Sequence, residues 1–103
     1  MKLTAPIAAL CLLACAGPAA AADPQLGRNL AATCTTCHGT NGRAVVDGGI
    51  ASLAGVDRER LLQKLAAFRS GEKSATIMQQ ITKGFTDAQL DLIASHFAGQ
   101  GRP

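Results

Sequence analysis

The 103-residue sequence has no tryptophan and no tyrosine, and only three phenylalanines, Phe68, Phe85 and Phe97. It has two histidines, two methionines and four cysteines, and its formal net charge is +3. Such a small imbalance excludes a strongly basic nucleic-acid binder and a polyacidic tail. No apolar run reaches the roughly 20 residues needed to cross a bilayer. The longest, Leu3 to Ala14, follows Met1-Lys2 and precedes Gly17-Pro18 and four alanines ending at Ala22. A positive start, a short apolar stretch and a small-residue cleavage site are the pattern of a secretory signal peptide. We therefore expect residues 1–22 to be a signal and 23–103 to be one mature domain. That domain has 32 apolar residues, of which 11 are alanine, and a net charge of +2. Domains this small usually need a disulfide, a metal or another staple beside the core.

The cysteines indicate which staple. Cys11 and Cys15 leave with the signal, so the mature chain keeps Cys34 and Cys37, within Cys34-Thr35-Thr36-Cys37-His38. A C-x-x-C-H run reads as a c-type haem attachment site. On a helical turn, positions i, i+3 and i+4 share a face. Two thioethers from Cys34 and Cys37 and an axial bond from His38 can then serve one haem. The competing readings are a disulfide, a thiol–disulfide enzyme and half of a zinc site. A structural zinc site takes four ligands, yet the mature chain adds only His96 to this cluster. A thioredoxin-like motif wants a βαβ context, and no β-rich run is present. Covalent haem c is the favoured reading.

His38 would supply one axial ligand; the other is Met, His or an open position. Met78 is the only methionine of the mature chain, 40 residues beyond His38. It is the preferred sixth ligand, with core filler as its ordinary alternative. The rival is His96, near the end of the last expected helix, where a histidine is favoured by the helix dipole in any case.

The pattern is all-α. Asp23-Pro24 reads as an N-cap and first-turn proline, opening a helix through Leu26 and Leu30 to Cys37 that Gly39 ends. Five glycines from Gly39 to Gly55 mark a loop. Asp57 caps a second helix with Leu61, Leu62, Leu65 and Phe68 at helical spacing, ended by Gly71. A short helix is expected around Met78 and stops at Gly84. Thr86-Asp87-Ala88-Gln89 is a capping box, and opens a last helix with Leu90, Ile93, Ala94 and Phe97 on one stripe. The tail from Gln100 to Pro103 is expected to fray.

With these residues in view, the sequence resembles class I c-type cytochromes, and within them the monohaem cytochrome subunit of flavocytochrome c sulfide dehydrogenase. The resemblance rests on Cys34-Thr35-Thr36-Cys37-His38-Gly39-Thr40-Asn41-Gly42, Leu53-Ala54-Gly55, Phe68-Arg69-Ser70-Gly71, Ala75-Thr76-Ile77-Met78 and Lys83-Gly84-Phe85-Thr86-Asp87. It implies a small all-α fold around one covalent haem held by Cys34 and Cys37, with His38 proximal and Met78 distal. It also implies that the first and last helices cross near Gly27 and Phe97. Relatives usually have proline where this chain has Ala51, in the loop whose carbonyl accepts from the proximal histidine. Phe85 stands where relatives often have tyrosine.

The expected function is a periplasmic electron carrier, possible partners being redox proteins and in particular a flavoprotein (FAD) sulfide dehydrogenase subunit. Alternatives are a free shuttle with no permanent partner and, in a different class, a haem-based ligand sensor or peroxidase with a labile Met78. Arg43, Arg69, Lys73 and Lys83 are candidates for a basic docking ring or for partners of the haem propionates; as ordinary solvated charges they would do neither. The expected electron port is the edge near Cys37. Leu12-Leu13-Ala14-Cys15 loosely matches a lipobox, which makes lipidation at Cys15 the alternative to cleavage after Ala22. Intact mass separates the two. We expect residues 23–103 plus one haem, whereas lipidation would retain residues 15–22 and add acyl chains.

Overall fold

A computed structural model of the chain describes residues 1–2 and 23–102. The expected signal segment, its cleavage site and the Cys15 alternative lie outside the described residues. Within them there are four α-helices and no strand: α1 (Leu26–His38), α2 (Arg58–Ser70), α3 (Met78–Lys83) and α4 (Asp87–Ala98), with a 3-10 turn at Thr40–Gly42. No described helix is long and apolar enough to cross a membrane.

Most helix ends follow the local chemistry read from the sequence. The Asp57 carboxylate accepts from Arg60 N at the start of α2, and Gly71 closes that helix in the left-handed conformation, φ 83°. Thr86 and Gln89 form the reciprocal capping box of α4. The start of α1 differs. Its N-cap is Gln25, with no side-chain cap, because the Asp23 carboxylate turns onto Gln25 N (2.8 Å) and the Asp23 carbonyl takes Leu26 N (3.1 Å). Asp23 thus builds a turn ahead of the helix, the local alternative open to any aspartate.

α1 and α4 cross closely at Gly27. A Cβ there would lie 2.9 Å from the Leu92 carbonyl oxygen, so only glycine lets the two backbones approach this far. α2 closes against α4 through Arg58, which bonds Ser95 Oγ (3.2 Å) and pairs with Asp91, and through an Arg69–Asp87 ion pair. These charges are substantially exposed, so each pair contributes at most about 1 kcal/mol. The core is correspondingly small: Ala31, Leu61, Leu90, Ile93, Ala94 and Phe97, with Cys34, Leu53, Leu65 and Phe85 packed at its edge.

Phe97 organises the middle of this core. Its ring packs on Gly42, where a Cβ would come within 2.6 Å of it and where φ is +78°. Its carbonyl accepts from Gly55 N (2.8 Å) and Gln100 N (3.1 Å). The tail is therefore held where fraying was expected. Gln100 Nε2 also donates to the His96 carbonyl, and Arg102 Nε donates to the Gly55 carbonyl.

Replacing Gly27 by valine tests the crossing. The added volume meets backbone, which cannot rotate away, so we expect a loss of about 1–3 kcal/mol, read as a lower denaturant midpoint with the same slope.

Candidate haem site

One cavity of about 460 Å³ opens between the end of α1, the 50–56 loop, α2 and α3. Its size suits a small-molecule or cofactor site. Ile93, Ala94, Phe97, Leu61 and Phe68 contribute apolar wall, and Cys34, Cys37, His38 and Met78 all lie in it. The four residues singled out from the sequence are thus brought to one place. His96 is not. It stacks edge-on against Phe97 at 5.3 Å and is absent from the cavity wall.

Local folding explains each position. Cys34, Cys37 and His38 occupy the last turn of α1. Beyond it, Gly39 takes a left-handed φ of 87° and the chain reverses through the 3-10 turn. The Gly42 carbonyl then accepts from Leu53 N (2.7 Å), Ala54 N (3.1 Å) and Ser52 Oγ (2.9 Å). Those three bonds draw the 51–54 segment back beside α1. As a result His38 Nδ1 lies 2.6 Å from the Ala51 carbonyl oxygen. A carbonyl only accepts, so Nδ1 is the donor in this bond, and in the neutral imidazole that leaves the Nε2 lone pair for a metal. The backbone carbonyl of Ala51 supplies this acceptor without a proline at the position.

Met78 opens α3, where the buried Thr82 hydroxyl donates to its carbonyl at 2.8 Å. The cysteines differ in exposure: Cys34 is half-buried and Cys37 exposed, and both thiols are free. Burial pushes the Cys34 thiol above its ordinary value, and the neighbouring Cys37 adds to this. Redox-active cysteines are activated in the opposite direction, so Cys34 lacks that activation.

Of the basic candidates, only Lys73 lines the cavity. Arg69 is paired with Asp87 in a shallow groove between α2 and α4, and the Arg43 guanidinium lies beside Gly101. Lys83 is exposed at the end of α3. Lys64, not singled out from the sequence, also lines the cavity. Its signal was its place among Leu61, Leu65 and Phe68 on the apolar stripe of α2. Phe85 packs on the core and not in the cavity wall, so its lack of a hydroxyl does not bear on the site.

The donor set fits a covalent haem: two free thiols, an imidazole with its Nε2 lone pair and a thioether, around an apolar cavity. Comparison with known proteins agrees. The cytochrome c family model matches residues 24–98. The thiosulfate dehydrogenase electron acceptor of Stutzerimonas stutzeri is 35% identical, over 95% of this chain and 48% of its own length. The cytochrome subunit of sulfide dehydrogenase of Chlorobaculum tepidum is 35% identical, over 69% of this chain and 63% of its own. Cytochrome c-554(548) of Halomonas halodenitrificans is 30% identical, over 82% of this chain and 99% of its own. The chain therefore spans about half the length of the first of these relatives and nearly all of the third. Family match, helical fold and donor set agree: the chain belongs to the cytochrome c family, as a class I c-type cytochrome that carries covalent haem c.

Proposed function

We propose that this protein is a periplasmic electron carrier whose haem is anchored by Cys34 and Cys37 and ligated by His38 and Met78. The observation that carries the reading is the meeting of these four side chains in one apolar cavity, with His38 Nδ1 committed to the Ala51 carbonyl. When bound, the haem iron supplies a one-electron Fe(III)/Fe(II) couple. His38 is oriented by its bond to Ala51, which also raises its basicity as a ligand. Thr82 ties down the start of α3, from which Met78 extends. Thioether ligation by Met78 favours the ferrous form, and the walls formed by Leu61, Ile93 and Phe97 keep water out. With the iron held by both His38 and Met78, the chain would leave no coordination position for a substrate. Electrons then leave through an edge, and the exposed side near Cys37, Ile50 and Ile77 is the port we assign.

The donor we propose is a dehydrogenase acting on a reduced sulfur compound, with a flavoprotein sulfide dehydrogenase subunit as the specific partner. Two relatives are named for such systems, one as the cytochrome subunit of sulfide dehydrogenase and one as the electron acceptor of thiosulfate dehydrogenase. A free shuttle is the second reading, favoured by the nearly full-length match to cytochrome c-554(548). Purification from the native source decides between them: a permanent subunit retains a flavin-containing chain, and a shuttle does not.

Met78→Ala tests the ligation. The intact protein should show a sharp reduced α band, a weak far-red band in the ferric state and no response to carbon monoxide. The variant should lose the far-red band and bind carbon monoxide. Its ferrous-to-ferric ratio at fixed potential should fall at least tenfold, about 59 mV for a one-electron couple. An unchanged spectrum and potential would remove Met78 from the iron.

A further inference from the structure

We propose that the Thr82 hydroxyl is a latch on Met78, a positioning group that sets how readily the methionine leaves the iron; this rests on the Met78 ligation proposed above. Among the described residues Thr82 is the one buried polar side chain, and none of its surface is exposed. A buried hydroxyl is costly unless it is hydrogen-bonded. Valine, the same shape without the oxygen, would fill the space with no such requirement. The acceptors for this hydroxyl are the carbonyls of Met78, at 2.8 Å, and Gln79, at 3.2 Å. Both belong to the first turn of α3. A side chain fixed in the core is thereby tied to the turn that carries the methionine.

That turn has little else to hold it. α3 is six residues long, its N-cap Ile77 makes no side-chain cap, and no acid in its first turn meets the helix dipole. A helix so short is unstable without tertiary support. The chain leading into it is exposed at Glu72, Lys73, Ser74, Thr76 and Ile77. Gln80 N and Ile81 N share the single Ile77 carbonyl, at 2.9 and 3.1 Å. The far end is better anchored, by buried Thr82 and by Phe85 packed on the core. Met78 therefore stands where an exposed segment meets an anchored one. When the first turn frays, Met78 goes with it and the Thr82 hydroxyl loses both acceptors. A buried hydroxyl left unpaired costs more than a typical hydrogen bond contributes. Release of Met78 and stranding of Thr82 are one event, and the penalty on the second restrains the first. The ferric state is the one that needs this restraint, because thioether ligation favours the ferrous form.

A latch gives valine and serine opposite signatures. Thr82→Val keeps the shape and removes the hydroxyl, while the backbone N–H of position 82 remains for the Met78 carbonyl four residues before it. Thr82→Ser keeps the hydroxyl and removes a buried methyl group. The test is titration of the ferric holoprotein with imidazole, followed by loss of the far-red band, beside urea denaturation of the same samples. Thr82→Val should raise the apparent affinity for imidazole about five- to thirtyfold, with a urea midpoint at or above that of wild type. Thr82→Ser should lower the urea midpoint and keep the imidazole affinity within about twofold of wild type, since the bond to Met78 survives.

A residue that merely fills the core would move the two readouts together. Imidazole affinity that follows the urea midpoint in both variants overturns the proposal, as does an unchanged affinity in Thr82→Val. Failure of the ligation beneath it is read separately, as wild-type ferric protein with no far-red band.

Discussion

The hydrogen bond from His38 Nδ1 to the Ala51 carbonyl is the constraint around which the site is arranged. It joins the last turn of α1 to a loop segment 13 residues away and fixes which imidazole nitrogen carries the proton. The bond exists because of Gly42. One carbonyl there receives three donors from residues 52–54, in a backbone conformation with φ +78°. A side chain at position 42 would be strained in that conformation and would collide with Phe97. The same Phe97 belongs to the core and to the cavity wall. Packing at the centre of the molecule and orientation of the His38 ring are consequently one problem, solved by a glycine against an aromatic ring.

This coupling explains how so few large apolar residues suffice. Leu61, Ile93, Ala94 and Phe97 are core on one side and cavity wall on the other. A group held in that cavity would cover the faces that other wall residues, Leu65, Phe68 and Ile81, leave partly exposed, and fully burying a Leu, Ile or Phe side chain is worth about 1.5–3 kcal/mol relative to exposure. Attachment at Cys34 and Cys37, as proposed, would make the contribution permanent, which a dissociable ligand could not do. The remaining stabilisation comes from the caps of α2 and α4 and the exposed arginine pairs between them, each a modest term.

Much of this was legible in the sequence because it is local. The C-x-x-C-H spacing, the Asp57 cap, the Thr86–Gln89 box and the glycine stops are all read within one or two turns, and α2 and α4 have the boundaries these signals mark. The four candidate site residues followed from the scarcity of His, Met and Cys, and they meet in one cavity. What was missed depends on tertiary contact or on competition between local options. Asp23 had a turn available as well as a cap. The tail looked free until Phe97 and Gly55 were placed against it. Arg69 and Lys64 have similar charge and lie on the same helix. Only the position of α4 assigns the first to Asp87 and leaves the second at the cavity.

That sorting of charge has a physical consequence for a carrier. A formal net charge of +3 is too small to generate a strong general field, so where the charges sit matters more than their sum. On the α2–α4 side, Arg58 and Arg69 are neutralised by Glu59, Asp91 and Asp87. At the cavity edge, Lys64 and Lys73 stand among apolar side chains with no neighbouring acid in the wall. Exposed Ile50 and Ile77 adjoin the same opening. A partner approaching the edge near Cys37 therefore meets an apolar rim flanked by cations, while one approaching the α2–α4 groove meets ion pairs already satisfied. Steering by such a short-range pattern is screened within about 8–10 Å at physiological salt. It can align a partner already close by, and it leaves the encounter weak enough to release after a single electron has passed.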